Sequence, residues 1–233
     1  MSNINLKVRH IFIHVPKTGG TSMSNVEWNT STFHTYYGHH TILDMQEFGV
    51  DINTFFKWCF VRNPWERLLS GYDHGKEFLK LFPNFEDLVK ELYKYRHAYN
   101  KLNHNWVYIK NGIPGCAELR PTSPEIFLVS QSSFITIDNK ICMDFIGRYE
   151  NLHQDWTKVC DKIKEVAEYK RAWMKDRFIL PRHYTLPHMR NRKEQDHTRY
   201  TEKPYQEYYT KEMKEMVEEI YQNDIVNFNY KFE

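Results

Sequence analysis

No run of 18 apolar residues occurs in this chain and no basic-then-apolar leader opens it, so neither a membrane-spanning helix nor a secretion signal is legible. Cysteine is scarce, and Cys59, Cys116, Cys142 and Cys160 form no CxxC pair. Three of the four sit in apolar patterns, which predicts reduced, buried thiols and a reducing compartment. An excess of one charge is missing as well. Lys and Arg number 32 against 30 Asp and Glu, and the net charge of +2 is too small to argue for nucleic acid or an anionic membrane as partner. Internal repeats and low-complexity segments are absent, so one domain over 1–233 is the simplest division. A chain of this length buries roughly 70–75% of its unfolded surface and needs no disulfide staple.

What is present begins with IFIHVPKTGGTSM, residues 11–23. Ile11, Phe12, Ile13 and Val15 read as a buried strand, Pro16 stops its ladder, and Gly19-Gly20 let the backbone approach a ligand closely. Thr21 and Ser22 then open a helix. Backbone N–H groups there face an oxyanion, with the Lys17 ammonium and two hydroxyls converging on it. The bland alternative is an ordinary strand-to-helix turn that uses two glycines. A nucleoside-triphosphate loop, G-x-x-x-x-G-K-[ST], carries its lysine after the second glycine. Here Lys17 precedes both, and no separate acidic strand end stands out to hold magnesium, which weakens a kinase or ATPase.

A second block, KWCFVRNPWERLLSGY at 57–72, repeats the strand, sharp turn and helix. Trp58 to Val61 make the strand, Pro64 takes the first helical position, and Asn63 is the N-cap with Glu66 completing a capping-box-like pair. Arg62 then stands at the carboxyl end of a strand, where open α/β sheets bind ligands. Ser70 lies two turns into the helix. Taken singly, Arg62 would pair with a surface carboxylate and Ser70 would be solvated.

Together the two blocks resemble the 5′-phosphosulfate and 3′-phosphate elements of the sulfotransferases that use 3′-phosphoadenosine 5′-phosphosulfate (PAPS), in their carbohydrate, Golgi-type branch. The resemblance implies a P-loop-NTPase-like α/β fold, a single domain with a central parallel sheet flanked by helices. It implies that Lys17, Thr18, Gly19, Gly20, Thr21 and Ser22 hold the phosphosulfate. The R-x-P-x-x-R-x-x-S element is matched by Arg62, Pro64, Arg67 and Ser70, of which Arg62 and Ser70 would touch the 3′-phosphate. DFIGRYENLHQDW at 144–156 and YQNDIVNFNY at 221–230 extend the likeness over nearly the whole chain. Their Arg148 and Glu150 read as structural.

TYYGHHTILDMQEFG at 35–49 resembles the segment of uronyl 2-O-sulfotransferases that carries a catalytic histidine, and His39 falls at that position. Transfer to an alcohol needs a base near neutrality, which imidazole supplies without a large pKa shift. His40 and Glu27 are the substitutes. A zinc site from His34, His39 and His40 lacks a supporting cysteine or carboxylate spacing, and transfer of a singly charged sulfuryl group needs no metal. HTRYTEK at 197–203 resembles the loop that closes over the cofactor in the same enzymes, with Arg199 and Thr201 as candidate contacts. The expected reaction is in-line transfer from PAPS to an acceptor hydroxyl, of a carbohydrate or a small molecule, leaving PAP. The alternatives are a P-loop-like nucleotide kinase and a non-catalytic PAP-binding module.

Elsewhere the patterns read as scaffold. Phe85, Leu88, Val89 and Leu92 have helical spacing, as do Leu152, Trp156, Val159, Cys160, Ile163, Val166 and Ala167 over about five turns, and Met213, Met216, Val217 and Ile220. Residues 112–124 are turn-rich. The family likeness makes 78–131 the wall of the acceptor cleft and the basic stretch 182–203 a lid over the nucleotide. Golgi relatives carry a membrane anchor. The short lead before the first strand predicts a cytoplasmic protein, the alternative being a trimmed catalytic domain.

Overall fold

The computed structural model describes residues 2–6, 8–24, 35–36, 39–74, 81–99, 107–110, 113–116, 124–171, 186 and 203–233. Among these the strands are β1 (Ser2–Asn5), β2 (His10–Ile13), β3 (Thr35–Tyr36), β4 (Phe56–Val61), β5 (Val107–Lys110), β6 (Ile113–Cys116), β7 (Thr136–Ile137), β8 (Lys140–Ile141) and β9 (Phe145–Arg148). The helices are α1 (Gly20–Ser24), α2 (Ile42–Glu47), α3 (Pro64–His74), α4 (Phe85–Lys94), α5 (Arg96–Tyr99), α6 (Ser132–Ile135), α7 (Leu152–Arg171), α8 (Lys211–Ile220) and α9 (Gln222–Phe228). The chain packs as two compact units, one made of Met1–Val61 with Phe134–Arg190 and the other of Arg62–Ser133 with Asn191–Glu233.

The first unit is an α/β layer around a five-stranded sheet in the order β3-β1-β2-β4-β9. The expected parallel core is present, since β2, β4 and β9 run parallel. The sheet as a whole is mixed, because β1 pairs antiparallel with β2, and β3 antiparallel with β1. The connection from Asn5 to His10 is too short for the crossover that a parallel neighbour needs, so β1 can only form a hairpin. Sequence periodicity misses β1 because Ser2, Asn3 and Asn5 are poor strand formers, yet all three are buried.

Strand β4 is buried on both faces, the burial expected of a central parallel strand. Phe56, Trp58 and Phe60 alternate onto one face, where Trp58 stacks on Phe12 at 4.3 Å between ring centroids and meets Trp156 of α7 at 5.9 Å. Val159, Cys160, Ile163 and Ala167 continue the contact along α7, so the predicted five-turn stripe is the cover of the sheet. Each such large side chain taken out of water contributes about 1.5–3 kcal/mol.

The second unit is mainly helical among the described residues. Phe85, Leu88, Val89 and Leu92 of α4 are buried, as are Met213, Val217 and Ile220 of α8, and the two helices pack together. The stretch expected to be turn-rich supplies β6, paired antiparallel with β5. Cys59, Cys142 and Cys160 are free thiols, two of them buried. No helix among the described residues is long and apolar enough to cross a membrane.

Candidate active site

At the end of β2 the chain enters a loop whose backbone departs from ordinary conformations. Lys17 lies in the left-handed region at φ 68° and Gly19 at φ 82°. For lysine this costs about 1–2 kcal/mol, strain of the kind that persists where the surroundings over-determine a site. The surroundings here are specific. The Thr18 hydroxyl donates to the Val15 carbonyl at 2.8 Å, the Ser22 N–H donates to the Gly19 carbonyl at 3.1 Å, and a Cβ at Gly19 would meet the Tyr149 ring at 3.4 Å. At Gly20 a Cβ would collide with the His14 imidazole. Thus one glycine serves the φ angle and the other a side chain lying against the backbone. Thr21 and Ser22 follow, half-buried, in α1.

His39 joins this loop through the strand end. Its Nδ1 lies 2.9 Å from the His14 carbonyl oxygen, and the two imidazoles stand 4.4 Å apart. A carbonyl can only accept, so Nδ1 carries the proton and the neutral ring keeps its lone pair on Nε2. The buried Ser2 hydroxyl accepts from the His14 N–H at 3.1 Å and donates to the His40 carbonyl at 2.9 Å, tying the two segments a second time. His40 is turned to other work. Its Nδ1 is 3.6 Å from an Asp44 carboxylate oxygen, and its ring packs edge-on against Phe48. Burial alone would raise the Asp44 carboxyl, but hydrogen bonds from His40 and Thr41 outweigh it and hold the group below the usual carboxylate range.

In the second unit, Asn63 caps α3 as expected. Its Oδ1 accepts from the Trp65 N–H at 3.1 Å and the Glu66 N–H at 3.5 Å. The Glu66 carboxylate accepts from Arg62 Nη2 at 2.6 Å, with the Arg62 side chain only 3% exposed. Ser70, one helical turn beyond Glu66 on the same face, is buried at 6% exposure and so is no solvated surface residue. Arg67 is fully buried and donates to the Val129 carbonyl at 2.8 Å, and burial lowers its pKa. That places Arg67 in the scaffold.

The sequence matches the model of the sulfotransferase family over residues 4–231. The chain belongs to the sulfotransferase family. A part of it is also 33% identical, over 107 residues, to an uncharacterized protein of Archaeoglobus fulgidus; the match takes in 46% of this chain and 65% of that protein, just under two thirds of the relative's length. No solved structure matches the chain significantly.

Within this member of the sulfotransferase family, the first unit brings together Lys17, Thr18, Gly19, Gly20, Thr21, Ser22 and His39, and the second holds Arg62 and Ser70. Arg199 and Thr201 lie outside the described residues, as do the proposed substitutes and zinc partners Glu27 and His34 and most of the predicted lid 182–203. Four neighbours of the site escape sequence reasoning: Ser2, His14, Gln131 and Asp224. His14 lies inside the motif and could have been noticed there. The other three meet their partners only through the fold. Arg148 and Glu150 sit where expected, at a strand end and in a 3-10 turn, and the Arg148 N–H donates to Asp155 at 2.8 Å.

Proposed function

We propose that this sulfotransferase moves a sulfuryl group from PAPS to a hydroxyl of a carbohydrate, with His39 as the general base. When bound, PAPS supplies a sulfuryl group activated by its bond to phosphate. The residues fit such a donor in two places. The loop from Lys17 to Ser22 carries one ammonium, backbone N–H groups and the half-buried Thr21 and Ser22 hydroxyls about two glycines, which suits a singly charged sulfonate beside a phosphate. Arg62 carries a buried guanidinium that already pairs with an oxyanion, the Glu66 carboxylate, and Ser70 lies on the same side of α3, which suits a 3′-phosphate. Arg199 and Thr201 complete the assignment as lid contacts.

The observation that carries the proposal is the hydrogen bond from His39 Nδ1 to the carbonyl of His14, the residue that follows β2 on the way into the Lys17 loop. It fixes the tautomer in which Nε2 can take the proton from an acceptor hydroxyl. Lys17 and the loop amides stabilise charge that develops during transfer, and the 3′-phosphate contacts set register from a distance. Carbohydrate is the acceptor class because the His39 segment resembles that of the uronyl 2-O enzymes.

The test is to incubate the protein with PAPS and a desulfated uronic-acid polysaccharide and to follow sulfate incorporation by mass spectrometry. Incorporation by the wild type and not by His39→Ala is expected. Absence of incorporation alongside intact PAP binding removes the carbohydrate assignment, and magnesium-dependent ATP turnover would put a nucleotide kinase in its place.

A further inference from the structure

The segment from Leu128 to Ser132 is buried, and side chains satisfy much of its backbone. The Leu128 carbonyl accepts from Tyr221 Oη at 2.6 Å and the Val129 carbonyl from Arg67 Nη1 at 2.8 Å. The Asp224 carboxylate, 0% exposed, accepts from the Gln131 N–H at 2.7 Å, the Ser132 N–H at 2.7 Å, the Ser132 hydroxyl at 2.7 Å and the Ser130 hydroxyl at 2.6 Å. A buried charge that collects four donors is a costly way to fill space, and an apolar residue would pack there without that cost. What the arrangement delivers is the side chain of Gln131. Its Oε1 accepts from the Arg62 N–H at 2.8 Å, and its Nε2 donates to the Arg62 carbonyl at 2.8 Å. Only a primary amide presents a donor and an acceptor side by side in this way. The double grip holds the residue that leaves β4 by both its N–H and its carbonyl, and with them the direction of its Cα–Cβ bond, while the Glu66 carboxylate holds the guanidinium at the far end of the side chain.

We propose that Gln131, seated by Asp224 of α9, is the positioning residue that aims Arg62 at the 3′-phosphate, so that the C-terminal helix governs nucleotide choice. The inference rests on the assignment of Arg62 to that phosphate. It extends the assignment to two residues that lie 69 and 162 positions from Arg62 in the chain.

Calorimetry with PAP and with AMP tests it in the full-length protein. The wild type is expected to bind PAP roughly ten- to a hundred-fold more tightly than AMP, and Arg62→Ala should remove most of that preference. Gln131→Met keeps the side-chain length and lacks both hydrogen bonds. It should lose about tenfold in PAP affinity with AMP affinity within about twofold of wild type, and add nothing to the loss in Arg62→Ala. Asp224→Asn should shift the preference the same way; if it fails to fold, Gln131→Met decides. A folded Gln131→Met that binds PAP like the wild type, or that loses PAP and AMP equally, overturns the positioning role. A wild type that binds PAP no better than AMP overturns the phosphate assignment itself, a result distinct from the first.

Discussion

At the scale of single residues, the site depends on which atom of each side chain is committed. His39 and His40 are neighbours with the same imidazole, yet one donates Nδ1–H to a strand-end carbonyl and the other faces Asp44. With a competent acceptor, His39→Ala should therefore lower turnover by about 10²–10⁴ while PAP affinity stays near wild type, the usual magnitude for loss of a general base. His40→Ala should be much milder, and steady-state kinetics beside calorimetry separates the two. Wild-type turnover in His39→Ala would mean that the base lies elsewhere. Lys17 differs again. Because Lys17 is proposed to act on charge that builds during transfer, Lys17→Ala should reduce kcat more than it weakens PAP binding; the opposite pattern would leave it a binding residue only. Lys17 and the glycines are legible in the linear motif because turn chemistry is local. Ser2 is not, since its hydroxyl matters only through His14 and His40, which the fold brings to it.

At the scale of elements, α2 is the support for the histidine pair, and its N-terminus is a complete capping box. The Asp44 N–H donates to the Thr41 hydroxyl at 3.0 Å, and the Thr41 N–H donates to the Asp44 carboxylate at 2.6 Å. Removing the cap by Thr41→Ala should cost about 1 kcal/mol of stability in urea denaturation, and Thr41→Ser should restore most of it. An unchanged midpoint in Thr41→Ala would show that tertiary packing alone holds the helix. Elements with strong periodicity were legible: the stripe of α7 and those of α4 and α8 are the faces that the structure buries. Strand β1 was not. Its Ser and Asn residues carry no apolar alternation, and they become buried only because β2 offers them a ladder.

At the scale of the whole molecule, His10 ties stability to pH. His10 of β2 is fully buried and accepts from Trp58 Nε1 at 3.2 Å, and burial lowers its pKa from 6.5 to about 3. The folded state thus favours the neutral ring. Above pH 6.5 neither state binds a proton there and the group adds no pH dependence. Below it the unfolded chain binds a proton that the folded chain refuses, so stability falls as pH falls, by about 1.4 kcal/mol per pH unit down to about pH 3. In His10→Asn, whose Oδ1 can still accept from Trp58, that share of the slope should vanish. Denaturation curves at pH 7.5, 6.5 and 5.5 for both proteins check it, and parallel slopes would refute it.

The family, the parallel core and the strand-loop-helix character of the blocks at 11–23 and 57–72 are legible in the linear chain, because each rests on adjacent residues whose backbone preferences and side-chain periods act over a few positions. The same motif marks Arg67 and Ser70 without telling that both are buried and that the Arg67 guanidinium is given to the Val129 carbonyl. It takes the folded chain to make the sheet mixed, to press a histidine ring against Gly20 and to commit His39 Nδ1 to the His14 carbonyl. The same holds for the grip of Gln131 on the backbone of Arg62 under the carboxylate of Asp224. Hydrogen bonds and van der Waals contacts form between whatever atoms folding brings within about 3–4 Å, and no local preference in a linear chain encodes which distant atoms those are.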